Sequence, residues 1–131
     1  MTRPVQVVPA ILSHEPATLD KLVRQAATFT SYIQVDIMDG QFVPSKSIGW
    51  EDIARIRPQL NWEAHLMVLR PEEQVSGFQR AGARKIIFHY EATPEPQKII
   101  TAVRKLRLKV GLALKPETPV SVVLPLAGQI D

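Results

Sequence analysis

Two short apolar segments each hold one ionisable side chain that could do chemistry. Asp36 lies inside the segment 32–38, and His65 lies inside the segment 62–68. A carboxylate surrounded by apolar residues needs a partner or a shifted pKa. An aspartate and a histidine brought together supply two ligands for a divalent metal, or a base with a polarising partner. The residues alone leave both interpretations open.

The elements that must position these side chains follow from the alternation of short apolar segments with longer amphipathic ones. The predicted strands are residues 5–12, 32–38, 62–68, 85–90 and 109–114, and the predicted helices are residues 16–29, 50–56, 72–81 and 96–106. This alternation predicts βα units and a parallel sheet, in either a doubly wound sheet or a (β/α) barrel. The first strand is not followed by a G-x-G-x-x-G fingerprint, which favours the barrel.

Strand periodicity predicts which polar side chains share a face. Side chains alternate between the two faces along a strand, so every second residue shares a face. On one predicted strand these residues are Gln34, Asp36 and Met38, and on the next they are Glu63, His65 and Met67. In a parallel barrel the outer face packs against helices, so we expect this polar face to point inward, near the C-terminal mouth. Glu63 is expected either to pair with a cation or to orient His65.

Composition limits the class of protein. The 131 residues are 45% apolar and 22% charged, which fits one globular domain. The net charge of +3 is spread without runs, so the charge fits an anionic metabolite as readily as nucleic acid. The absence of Cys excludes disulfides, thiolate metal sites and a Cys nucleophile. No leader or long apolar segment is visible, so a cytoplasmic location is expected.

Five blocks of sequence follow one another along the chain. They are Pro9-Ala-Ile-Leu-Ser13, Val35-Asp-Ile-Met-Asp-Gly-Gln-Phe-Val-Pro44, His65-Leu-Met-Val68, Phe88-His-Tyr-Glu-Ala92 and Gly111-Leu-Ala-Leu-Lys-Pro116. In this order they resemble the ribulose-phosphate 3-epimerase family of (β/α)8 TIM barrels. The resemblance implies an incomplete barrel, in which residues 1–131 are the N-terminal part of one domain. That part would hold about the first five βα units and be truncated before the sixth strand.

The resemblance also implies an activity and a set of site residues. Members of this family are isomerases of the pentose phosphate pathway, which interconvert ribulose 5-phosphate and xylulose 5-phosphate by metal-dependent epimerisation at C3 through an enediolate. Asp36 corresponds to the catalytic base and a metal ligand, and His65 to a metal ligand that also contacts the substrate. Met38 and Met67 correspond to residues that line the site. The full-length protein is expected to be a homo-oligomer that binds a small sugar phosphate, with no nucleic acid and no membrane as partner, and the fragment alone is expected to be inactive.

Two departures from the family pattern bear on the site. Gln34 stands where the family has a metal-binding His, and Ala10 stands where it has a substrate-contacting Ser. An amide oxygen is a poorer zinc ligand than imidazole, so Zn, Mn, Fe and Mg all remain candidates, with a shift toward harder ions. The alternatives are an epimerase for a related sugar phosphate, such as allulose 6-phosphate, and a non-catalytic barrel relative.

Two other polar residues receive mainly structural interpretations. His89 is expected to line the pocket or to support the fold rather than to bind metal. Asp39 precedes Gly40 directly after a strand, so a turn-stabilising role is expected at least as strongly as direct chemistry.

Overall fold

A computed structural model describes residues 2–131 as a single parallel sheet with helices between its strands. The strands are β1 (Ala10–Ile11), β2 (Tyr32–Met38), β3 (Asn61–Met67), β4 (Lys85–His89) and β5 (Lys109–Ala113). The α-helices are α1 (Pro16–Ala26), α2 (Trp50–Ile56), α3 (Val75–Ala81) and α4 (Pro96–Lys105), and short 3-10 helices span Pro71–Glu73, Tyr90–Ala92 and Val120–Gln129.

The strand order identifies the type of βα fold. The sheet runs β1-β2-β3-β4-β5, and every neighbouring pair is parallel. A doubly wound sheet reverses its strand order at a switch point, whereas a barrel adds each new strand on the same side of the last. The sheet is therefore the first five βα units of an incomplete (β/α)8 TIM barrel, as predicted.

The hydrophobic core lies between the helices and one face of the sheet. Along β2, buried and partly exposed residues alternate strictly, and Ile33, Val35 and Ile37 are the buried ones. Large apolar side chains complete the core, including Leu19, Ile53, Trp62, Phe78, Phe88 and Val103. Since the apolar positions face the helices, the polar set on β2 and β3 is left on the opposite face, which is the inner face of the barrel.

The first predicted strand, residues 5–12, is wrong over most of its length. Only Ala10–Ile11 pair with β2, and Val5 and Val7 are 93% and 79% exposed. An apolar alternation shows that a segment can form a strand, but the hydrogen bonds must come from a neighbour. β1 has a single neighbour in the described sheet, β2, and the register of Ala10 with Gln34 places residues 2–7 before the start of β2 at Tyr32.

The helices match the predictions except near their ends. Pro16, Pro71 and Pro96 occupy first-turn positions, as predicted, because a missing N–H costs nothing there. The predicted helix 72–81 is divided, with a 3-10 turn over Pro71–Glu73 before α3. The 3-10 helix Val120–Gln129 was not predicted, since it contains Pro125 and lacks clear helical periodicity. Within residues 2–131, none of the helices has the length and apolar character needed to cross a membrane.

Candidate active site

Asp36 and His65 lie side by side on the inner face of the sheet. The register of β2 and β3 places the two residues opposite each other. Asp36 Oδ1 is 3.1 Å from His65 Nδ1, and the side chains are 18% and 20% exposed, respectively. The pair therefore converges as strand periodicity predicts, and it is accessible from the side that the helices do not cover.

Gln34 is the third polar side chain of this group. Its Nε2 donates a hydrogen bond to Asp36 Oδ1 at 3.0 Å and lies 3.5 Å from His65 Nδ1. The amide thus faces the pair with its nitrogen, as a donor. Rotation of the amide by a half turn would present its oxygen at the same place, which is what a metal would require.

The remaining predicted site residues lie on the same face. Met38 and Met67 are opposite each other in the register, and both are half-buried. Each follows Asp36 or His65 by two positions, so the methionines lie nearer the C-terminal ends of the strands. Ala10 is exposed and pairs with Gln34 across β1 and β2. The structure therefore brings the whole predicted set to one region of the inner face.

His89 makes a contact that sequence reasoning underestimated. His65 Nε2 and His89 Nε2 are 2.9 Å apart, and the ring centroids are separated by 5.0 Å with an angle of 25° between the ring planes. Burial and then the neighbouring His65 hold the pKa of His89 below its ordinary value. The signal was present in the alternation of β4, which directs Lys85, Ile87 and His89 to the inner face.

Glu91 lies behind His89 and was not singled out from the sequence. Its Oε2 is 3.4 Å from His89 Nδ1. Its Oε1 accepts hydrogen bonds from the Thr118 hydroxyl at 2.7 Å and from the Lys115 backbone N–H. Burial tends to raise the pKa of Glu91, but these hydrogen bonds outweigh it and hold the pKa below its ordinary value. Two hydrogen bonds to Oε1 therefore fix the Glu91 carboxylate, with Oε2 directed toward His89.

Asp39 shapes the loop that follows β2. Its Oδ1 accepts backbone hydrogen bonds from Gln41 and Phe42 at 2.8 Å each, and its Oδ2 accepts one from Leu69 at 2.8 Å. Gly40 has a φ of 74°, the left-handed conformation that glycine adopts without strain. Burial would raise the pKa of Asp39, but the three N–H donors hold the pKa below its ordinary value. These contacts support the turn-stabilising role.

Asp39→Asn is expected to lower the free energy of unfolding by about 1 to 3 kcal/mol at pH 7, since hydrogen bonds to a charged acceptor are lost. Because the folded pKa is depressed, this stability is present above the unfolded pKa of about 3.9 and disappears as pH falls through the folded value. Urea unfolding at pH 7 and pH 3 measures both effects. The control is Asp20→Asn, which removes an exposed i,i+4 pair with Arg24 worth about 0.5 kcal/mol or less. Equal losses in the two variants would contradict the role given to Asp39.

Glu63 is inward-facing, as predicted, but its partner differs from both predicted ones. It is 8% exposed and accepts a hydrogen bond of 2.9 Å from the Tyr32 hydroxyl. Among the described residues, Glu63 makes no ion pair with a cation and no hydrogen bond to His65. Burial, followed by this hydrogen bond, raises the pKa of Tyr32. Glu63 therefore joins β3 to the N-terminal end of β2 on the inner face, away from Asp36 and His65.

The donor atoms present are too few to fill every coordination position of a metal ion, but they fit a site that leaves some positions free for substrate or water. Residues 2–131 contain no group of three His, Cys, Asp or Glu side chains arranged to hold a metal. However, Asp36 Oδ1 and His65 Nδ1 are 3.1 Å apart. Two zinc ligands at about 2.0 to 2.1 Å from the ion lie about 2.9 to 3.4 Å from each other. One carboxylate, one imidazole and one amide, that of Gln34, could thus hold a divalent ion that keeps further positions open.

The fold and this site define a class of protein. A parallel βα sheet in sequential order is part of a (β/α) barrel, and its Asp, His and Gln cluster lies near the middle of β2 and β3, with Met38 and Met67 between it and the C-terminal end where barrel chemistry occurs. Residues 6–131 match the model of the Ribulose-phosphate 3 epimerase family. The chain belongs to the ribulose-phosphate 3-epimerase family, which confirms the resemblance seen in the sequence blocks.

Individual relatives show how much of the family's length is represented. The chain is 36% identical to a ribulose-phosphate 3-epimerase of Schizosaccharomyces pombe, over 96% of this chain and 58% of that protein. It is 37% identical to a ribulose-phosphate 3-epimerase of Treponema pallidum, over 100% of this chain and 62% of that protein. A ribulose-phosphate 3-epimerase of Bacillus subtilis is 32% identical, with coverage of 97% and 60%. The chain thus spans about three fifths of the length of these curated relatives.

Proposed function

We propose that an eight-stranded barrel in which this chain supplies the first five βα units is a metal-dependent epimerase, which interconverts D-ribulose 5-phosphate and D-xylulose 5-phosphate at C3. We call this eight-stranded protein the closed barrel. Residues 1–131 are, in this proposal, the N-terminal part of one barrel domain. The observation that carries it is the convergence of Asp36 and His65, 3.1 Å apart, on the inner face of a chain of this family. A carboxylate beside a metal-ligand imidazole supplies what abstraction of a proton next to a ketone requires.

Asp36 is the base that takes the C3 proton. Its Oδ1 accepts a hydrogen bond from the Gln34 amide and lies 3.1 Å from His65 Nδ1, whereas its Oδ2 accepts no hydrogen bond from the described residues. One carboxylate oxygen is thus fixed and the other remains available to a substrate. His65 directs Nδ1 to the same place and, together with Asp36 and Gln34, would hold the cation. A bound divalent ion supplies positive charge to the substrate oxygens and so makes the C3 proton more acidic.

Met38, Met67 and Ala10 form the apolar part of the proposed substrate site. Flexible thioethers pack against irregular surfaces, and the two methionines lie at the mouth beyond Asp36 and His65. There they would contact the sugar carbons and exclude water from the reacting centre. Ala10 offers no hydroxyl, so the contact it makes with the substrate is limited to van der Waals packing.

The proposal is tested by the conversion of ribulose 5-phosphate by a closed barrel that contains this chain. Turnover is followed by NMR before metal removal with a chelator, after removal, and after the addition of Mn²⁺, Zn²⁺, Fe²⁺ or Mg²⁺. We expect turnover to disappear on chelation and to return with at least one of these ions. Turnover that survives complete metal removal, or no turnover with any of the four ions, would refute the proposed function.

Gln34→His is expected to tighten zinc binding by at least about tenfold, because imidazole is a better zinc donor than an amide, and even residues behind the ligands change affinity by 10 to 100-fold. Competitive titration with a chromophoric chelator measures the change. The matched control is Gln25→His, which adds the same side chain at an exposed position of α1. An unchanged zinc affinity in Gln34→His would show that position 34 does not face the metal.

A further inference from the structure

Four side chains form one continuous line of polar atoms across the inner face. The successive separations are 3.1 Å from Asp36 Oδ1 to His65 Nδ1, 2.9 Å from His65 Nε2 to His89 Nε2, and 3.4 Å from His89 Nδ1 to Glu91 Oε2. We call these four residues the imidazole relay. We propose that His89 and Glu91 are positioning residues, which fix the His65 tautomer so that Nδ1 carries a free lone pair for a divalent cation. This inference rests on the proposed function, in which His65 is a metal ligand.

The number of protons in the relay limits its arrangements. When both imidazoles are neutral, the form in which His65 can bind a metal, they carry two N–H protons, but the relay has three gaps between polar atoms. The gap between His65 Nε2 and His89 Nε2 joins two nitrogens at 2.9 Å and needs one of these protons. The second proton must therefore lie in one of the two end gaps, and the other end gap has none.

The Glu91 end is the one that needs the proton. Glu91 is fixed as an acceptor by Thr118 and Lys115, and its Oε2 and His89 Nδ1 are both buried and without a hydrogen-bond partner among the described residues. With no proton between them, two buried acceptor atoms would face each other, and each would lose its hydration without gaining a hydrogen bond, which is costly. A proton on His89 Nδ1 directs the donor toward Glu91 and removes that cost.

The Asp36 end tolerates the missing proton. Asp36 and His65 are partly exposed, and the Gln34 amide donates a hydrogen bond into this gap. The relay then runs from His65 Nε2–H to His89 Nε2 and from His89 Nδ1–H to Glu91. His65 Nδ1 is left without a proton beside the Asp36 carboxylate, which is the state that a metal ligand must have. Carboxylates that orient a ligating histidine act in the same sense in metal sites generally.

Nitrogen-15 NMR of the histidine rings in the metal-free chain tests the inference, since it distinguishes the Nε2–H tautomer from the Nδ1–H tautomer. We expect His65 to be the Nε2–H tautomer. Glu91→Gln keeps the shape but lets an amide N–H face His89 Nδ1, so His65 should shift toward the Nδ1–H tautomer and its Mn²⁺ affinity should fall about 10 to 100-fold. His89→Phe keeps a ring at that position but removes the acceptor, and it should act in the same direction.

The control is Glu63→Gln, which neutralises another buried carboxylate of the inner face, two residues from His65 and outside the relay. It should leave the His65 tautomer and the Mn²⁺ affinity unchanged. Two variants at different positions keep the test open should one of them fail to fold. An unchanged tautomer in both folded variants, or a changed tautomer without loss of Mn²⁺ affinity, would overturn the inference. If the tautomer changes as expected but a closed barrel that contains this chain binds no Mn²⁺, the positioning role stands and the metal-dependent function fails.

Discussion

Asp36→Asn is expected to lower the rate of epimerisation in a closed barrel by about 10² to 10⁴-fold, the usual contribution of a general base. Asparagine has the shape of aspartate, but it cannot accept the C3 proton, and it is a weaker ligand for a cation shared with His65. The loss should therefore fall on kcat as well as on metal affinity. Turnover of ribulose 5-phosphate at saturating substrate and saturating metal separates the two effects.

Glu63→Gln is the matched control for this variant. It makes the same change from carboxylate to amide on the same inner face, but Glu63 contacts Tyr32 and not the Asp36 group. We expect it to retain most of its turnover. Retained turnover in Asp36→Asn with metal saturated, or an equal loss in both variants, would remove Asp36 from the role of base.

Phe88→Ala is expected to lower the free energy of unfolding by about 3 to 5 kcal/mol, as truncation of a buried Phe usually does. Phe88 is 0% exposed and lies near the C-terminal end of β4, where it pairs with Leu66 of β3 and Leu112 of β5. Its ring fills the layer between sheet and helices, and it is adjacent in sequence to His89. The truncation should therefore loosen the strand that supports the imidazole relay.

Urea unfolding of the chain measures this loss, and Phe29→Ala provides a control of the same residue type. Phe29 is 68% exposed after the end of α1, so its truncation should change the free energy of unfolding by about 0.5 kcal/mol or less. A loss below about 1 kcal/mol in Phe88→Ala would mean that the core is less tightly packed around β4 than the structure indicates.

Local patterns in the sequence predict most of the sheet and the main site pair. Apolar alternation placed β2 correctly, and the same alternation directed Asp36 and His65 to one face, because side-chain direction in a strand is a local property. The first strand was predicted too long for the opposite reason. Its hydrogen bonds depend on a neighbouring strand, and no local pattern of residues 5–9 shows where that neighbour ends.

The parts of the site that sequence reasoning missed depend on several elements at once. The His65–His89 contact requires the register of β3 against β4, and Glu91 is held by residues beyond β5. Likewise, the sequence identified Gln34 as a substituted ligand, but only the structure shows its amide nitrogen turned toward Asp36. Such contacts follow from packing rather than from spacing along the chain.

The most direct test of the central claim is the position of deuterium in sugar phosphate turned over in D₂O. A closed barrel that contains this chain is incubated with ribulose 5-phosphate, and both sugars are examined by NMR. If Asp36 removes the C3 proton, deuterium should appear at C3 of xylulose 5-phosphate and, with time, at C3 of ribulose 5-phosphate. Product that forms while C3 retains its protium would contradict proton abstraction at this site.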